Sequence, residues 1–196
     1  FLGYGKSAKR LSFEGNLYQE DSQDIAQVIR ELNLGPVNIC GFSDGAIIAM
    51  ILAREYPDLV NCLVLIGGQA IFDEHSYDMN KTFVPVEDLP EPFQIALARH
   101  HGDPYWKELI SSYLYAQDHM YEETQGIMVN ELHRILAPTL IVQGQTDPWV
   151  EARHAHVLND AIQNSELTFF PDTGHEVQRE KPEKFNRILQ EFLDKF

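Results

Sequence analysis

The sequence predicts an α/β protein: a mostly parallel β-sheet covered by helices on both faces. Three observations predict it. Short apolar runs of strand length alternate with stretches of helical period, the order expected of parallel strands joined by crossover helices. The run Val37-Asn38-Ile39-Cys40 leads through Gly41-Phe42-Ser43-Asp44-Gly45 directly into Ala46-Ile47-Ile48-Ala49-Met50-Ile51-Leu52-Ala53, a strand, a sharp turn and a helix. Two later strand-like runs each end in a punctuated loop, one carrying Asp147 and the other His175.

The elements follow in order. Residues 21–34 place Ile25, Val28, Ile29 and Leu32 at a helical period, and residues 33–36 end that helix. The strand at 37–40 and the helix at 46–53 come next, closed by Tyr56-Pro57. Leu63-Val64-Leu65-Ile66 reads as a buried strand ended by Gly67-Gly68. Residues 69–137 break the alternation and are rich in aromatic and acidic side chains. Within them, 85–92 reads as a proline-rich acidic loop, and 105–121 and 122–136 as helices. Alternation resumes with a strand at 139–142, a helix at 150–162 and a strand at 167–170. From Pro182 a last helix carries Phe185, Ile188, Leu189, Phe192 and Phe196 along one face. The expected organisation is therefore a first core segment over 1–68, a helical insertion over 69–137 and a second core segment over 138–196. There is no internal repeat.

Composition bounds the function. The chain has 196 residues, 44% of them hydrophobic, enough for one sizeable core. Its net charge of −15 repels nucleic acid and anionic membrane, so neither is an expected partner. The apolar runs are too short to span a bilayer. The two cysteines, Cys40 and Cys62, fall at the ends of strands expected to be buried, consistent with free thiols in a reducing cytoplasm.

The chemistry is concentrated in three blocks. Gly41-Phe42-Ser43-Asp44-Gly45 is a G-x-S-x-G motif with a strand before it and a helix after it. A serine hydroxyl needs a neighbouring base to become nucleophilic, and a sharp turn presents it to one. The base would be His175, in Asp172-Thr173-Gly174-His175-Glu176. A histidine base needs a carboxylate to hold its tautomer. Asp147, in Gln143-Gly144-Gln145-Thr146-Asp147-Pro148, stands at the end of the preceding strand. Asp73 is a rival acid, after the strand at 63–66, and Asp172 lies on the histidine's own loop, where it shapes the turn. The order Ser43, Asp147, His175 with each residue after a strand is that of α/β-hydrolase triads.

On these three blocks the chain resembles the α/β-hydrolase superfamily over nearly its whole length. The segment Phe1-Leu2-Gly3-Tyr4-Gly5-Lys6-Ser7 is similar to the G-x-G-x-S loop after the family's fourth strand. The Ser-Asp-Gly form of the turn is most similar to the biphenyl-hydrolase-like and valacyclovir-hydrolase-like serine esterases, some of which prefer amino-acid esters. The resemblance implies a helical cap over 69–137 and a fold truncated at the front. The family's earlier strands, and the His-Gly turn that supplies half the oxyanion hole, are not found ahead of Ser43. The expectation is a fragment or a naturally short protein, weakly active or dimerising along an unpaired sheet edge.

The resulting expectation is a serine hydrolase of small carboxylic esters, including aminoacyl esters, with no cofactor and no metal. Ser43 attacks, His175 moves the proton and Asp147 orients it. Asp44 and Phe42, beside the nucleophile, are the candidates for oxyanion and substrate contacts. The Asp44 carboxylate has two readings, a partner for a substrate ammonium group or a cap for the helix it begins. His154 and His156 lie two apart on an expected surface helix and so face different ways, which is not metal-ligand spacing. The same triad also supports acyl transfer, carbon–carbon bond hydrolysis or perhydrolysis, and the non-enzymatic alternative is an inactive hydrolase-like binding module.

Overall fold

In chain order the elements are α1 (Leu17–Glu31), β1 (Val37–Phe42), α2 (Asp44–Glu55), β2 (Val60–Ile66), α3 (Glu74–Lys81), α4 (Glu91–His101), α5 (Tyr105–Thr124), β3 (Thr139–Gly144), α6 (Ala152–Ala161), β4 (Ser165–Phe170), α7 (Val177–Glu180) and α8 (Pro182–Leu193). They are those of a computed structural model that describes residues 1–10, 13 and 17–196. The chain divides into two units, one of Tyr18–Ile71 with Met128–Phe196 and one of Phe1–Leu17 with Phe72–Ile127.

The first unit holds a sheet of four strands in the order β1-β2-β3-β4, every pair parallel. The central strands are buried almost throughout, which explains their unbroken apolar sequences. Alternation along β2 sends Cys62, Val64 and Ile66 to one face. There they form a core with Leu140, Val142, Phe170 and the helical residues Val177, Phe185 and Phe192. The predicted stripe of α8 is thus largely realised, although Phe196 lies beyond the helix and is exposed. Helices α2 and α6 also pack on the strands, and a Cβ on Gly68 would meet side chains of both.

Three expectations need correction. Strand β1 pairs on one side only among the described residues and its burial alternates, so Cys40 is exposed and Cys62 is a buried thiol. In α1 the buried stripe runs through Tyr18, Ser22, Ala26 and Ile29, while Val28 and Leu32 are exposed. Small and polar residues complete that stripe, and hydrophobic period alone does not mark them. The helix expected over 122–136 ends at Thr124. Gln125 adopts a left-handed conformation and Gly126 a φ of 79°, and a Cβ at Gly126 would overlap the backbone of Phe72. The returning chain is then held to the sheet unit by Met128 and Val129, whose N–H groups both donate to the carbonyl of Ala70. Buried Arg54 binds the carbonyl and side chain of Asn130.

The second unit is helical among its described residues. Val86, Leu89, Trp106 and Leu114 form its core, flanked by Phe83 and Tyr113. The stretch expected as a loop over 85–92 contains a short 3-10 turn, Val86–Asp88, and the start of α4. Asp73 caps α3 by accepting the N–H of Ser76 at 2.9 Å. Gly5 of the opening loop donates its N–H to His101 Nδ1 at 3.0 Å. Among the described residues no helix is long and apolar enough to cross a membrane.

Candidate active site

The strand-to-helix turn at Ser43 is strained, and its neighbours show why it is tolerated. Ser43 has φ 53° and ψ −121°, a conformation few non-glycine residues adopt. Its N–H donates to the carbonyl of Ile66 at 2.9 Å, and its own carbonyl accepts the N–H of Ala46 at 2.8 Å. The turn is thus held to β2 on one side and to the first turn of α2 on the other. Gly41 is required for this closeness, because a Cβ there would overlap the backbone of Gly45 and Ala46. Gly45 has no such constraint; a Cβ there would meet nothing within 4 Å.

Asp147 and His175 are brought together by the loops after β3 and β4. Asp147 Oδ2 lies 2.7 Å from His175 Nδ1, with the aspartate side chain fully buried and the histidine 14% exposed. Asp147 Oδ1 accepts the N–H groups of Trp149 at 2.8 Å and Val150 at 3.0 Å. Burial pushes the Asp147 carboxyl up, but hydrogen bonds from His175 and the Val150 amide, the His175 charge and the Trp149 amide outweigh it. The net effect holds it below the ordinary carboxylate value, as an ionised acceptor. An ionised acceptor places the imidazole proton on Nδ1 and leaves the Nε2 lone pair available as a base.

The serine turn shares a strand end with this pair. Ser43 is bonded to Ile66, and the next residue, Gly67, lies against both partners. A Cβ on Gly67, which has φ 55°, would come within 3.0 Å of His175 Cε1, 3.1 Å of its Nδ1 and 3.6 Å of Asp147 Oδ2. Ser43, Asp147 and His175 therefore gather at the carboxyl end of the sheet. The Phe42 ring sits 4.8 Å from the His175 ring, centroid to centroid, packing the base from the side of β1. Asp44 begins α2 and its carboxylate accepts the hydroxyl of buried Tyr18 at 3.2 Å.

The rival acids are occupied elsewhere. Asp73 caps α3, and Asp172, at φ 49°, turns the histidine loop. His154 is buried on α6 and His156 is exposed, so the helix is only partly a surface one. Sequence reasoning missed two supporting residues. Glu180 accepts the N–H of Gly174 with both carboxylate oxygens at 3.1 Å, fixing the histidine loop. Gln143, buried in β3, donates to Asp147 Oδ2 at 3.0 Å. A polar residue ending the run Thr139-Leu140-Ile141-Val142 was its only sequence signal.

Comparison with known proteins agrees with this fold. Residues 1–123 match the family model described as the alpha/beta hydrolase fold. The chain is 26% identical over 192 residues to the serine hydrolase BPHL of Mus musculus, aligning 97% of this chain with 66% of that protein. It is also 26% identical over 220 residues to a 2-hydroxy-6-oxononadienedioate/2-hydroxy-6-oxononatrienedioate hydrolase of Paraburkholderia xenovorans (strain LB400), aligning 98% of this chain with 73% of that one. In fold it is similar to the 2-hydroxy-6-oxo-6-phenylhexa-2,4-dienoate hydrolase of Rhodococcus sp. strain RHA1. The TM-score is 0.82 and the identity 16%, over 98% of this chain and 77% of that one. The chain thus spans 66% of the length of the mouse relative.

Proposed function

Because the chain belongs to the α/β hydrolase fold family, we propose that it is a serine hydrolase acting on carboxylic esters or related small acyl substrates through Ser43, His175 and Asp147. The observation that carries this reading is the buried Asp147–His175 pair at 2.7 Å beside a serine held at positive φ on the adjoining strand end. In this reading Ser43 Oγ attacks the acyl carbon and its proton passes to His175 Nε2. Asp147 stabilises the imidazolium, the proton leaves with the alcohol, and water reverses the sequence to release the acid. The N–H of Asp44 opens α2, where the first-turn amides have no carbonyl four residues back, and serves as an oxyanion donor. The substrate is a small molecule and no cofactor takes part.

The names of two relatives, a putative esterase/lipase of Haemophilus influenzae and the 2-hydroxy-6-oxononadienedioate/2-hydroxy-6-oxononatrienedioate hydrolase, offer two substrate classes, esters and dienedioates. The Asp44 carboxylate, beside the nucleophile, disfavours a dianionic dienoate and favours an ester bearing an ammonium group. The test is intact mass after incubation with a fluorophosphonate, beside Ser43→Ala. A single phosphonyl adduct on the parent that disappears from the variant is the expected result. A folded parent that takes no adduct contradicts the reading. An ester panel then follows, in which Asp44→Asn is expected to raise KM for aminoacyl esters and leave neutral esters unchanged. Equal loss on both would remove Asp44 from recognition.

A further inference from the structure

The geometry points to Gln143 as a positioning residue that holds the Asp147 carboxylate, and through it the His175 imidazole. This inference rests on the proposed triad. Gln143 is fully buried near the end of β3, on the face opposite Val142 and the α8 core. Its Nε2 donates to Asp147 Oδ2 at 3.0 Å and to the Val150 carbonyl at 3.0 Å, with the Gly144 carbonyl at 3.2 Å. Val150 in turn donates its N–H to Asp147 Oδ1 at 3.0 Å. Gln143, Asp147 and Val150 thus close a ring. The carboxylate is held at both oxygens, and the oxygen facing His175 is shared by two donors.

The other end of the amide marks this as more than packing. Gln143 Oε1 is buried and has no hydrogen-bond partner among the described residues. Reversing the amide would set that oxygen against the Asp147 carboxylate and the Val150 carbonyl, so the orientation is fixed by the acceptors around Nε2. A buried acceptor left unpaired is destabilising, and an apolar side chain of similar size would avoid it. The residue therefore carries a local penalty in return for a donor aimed at the acid of the pair, a pattern characteristic of functional sites.

Two variants test this. Gln143→Met keeps the length and removes both amide ends. With one donor gone from Oδ2, more negative charge faces His175 and its protonated form is favoured. The expected result is a loss in kcat/KM of about 10-fold, with the acid limb of the pH profile moved to higher pH. In an Asp147→Asn background the same substitution should cost less than about 2-fold, because the effect passes through Asp147. Gln143→Glu sets a second carboxyl beside a buried carboxylate, where one of the two must hold a proton. Protonated, the new carboxyl donates as the amide does; ionised, it repels. The ratio of its kcat/KM to the parent's should therefore fall as pH rises. An unmoved acid limb with lowered stability, an equal loss in both backgrounds, or a ratio flat with pH would each overturn the role. The His175 ring titration followed by NMR separates this from failure of the triad. If the parent takes no phosphonate, a His175 midpoint raised in Gln143→Met still supports the positioning, and an unchanged midpoint refutes it.

Discussion

At the residue scale the site is a problem of where protons reside. Asp147 lies in full burial yet stays below the ordinary carboxylate value, because hydrogen bonds and the His175 charge outweigh desolvation. That difference is also a stability term. A carboxyl depressed in the folded state contributes stability that is complete above the unfolded value, about pH 4, and is lost as pH falls through the folded value. Asp147→Asn should therefore be less stable than the parent in urea denaturation at neutral pH, with the gap narrowing below about pH 4. A gap that is the same at both ends would show that the aspartate is not held ionised. The three residues proposed as a triad were legible because chemistry restricts such residues to few types in a set order. Gly67 and Gln143 were not, since one matters through the side chain it lacks and the other through a partner that only folding supplies.

At the element scale, β1 and β2 differ in what their neighbours cover. Both read as apolar strands, but β1 has a partner on one side only among the described residues, and its burial alternates. Cys40 lies on it and Cys62 on the buried β2, with no disulfide between them. In the native protein a soluble maleimide should modify Cys40 within minutes and leave Cys62 until the chain unfolds, as read by peptide mass. Modification of both at similar rates would mean that the sheet opens readily. Strand existence was legible from short apolar runs bounded by glycine and proline. Helix ends were less so: α5 stops where Gln125 and Gly126 turn left-handed, a change local propensity signals weakly. Helix α4 has no buried residue at all, so no apolar stripe announced it.

At the scale of the whole molecule, charge is the dominant property. A net charge of −15 on 196 residues repels itself in the folded state more than in an expanded one. Screening shortens from a Debye length of about 30 Å at 0.01 M salt to about 8 Å at 0.15 M. The melting temperature should therefore rise over that range, and a temperature that falls would mean that favourable ion pairs outweigh the repulsion.

Sequence alone determined the alternation of core strands and helices, the parallel α/β class and the three residues proposed to react. These depend on periodicity and on residue chemistry, which are local and follow the chain. Tertiary structure alone decided that the burial of β1 alternates, that Gly41 and Gly67 must lack side chains, and that Gln143 donates to the acid of the pair. Those facts depend on atoms distant in sequence arriving within a few ångströms of one another. No periodicity within a single segment encodes such distances.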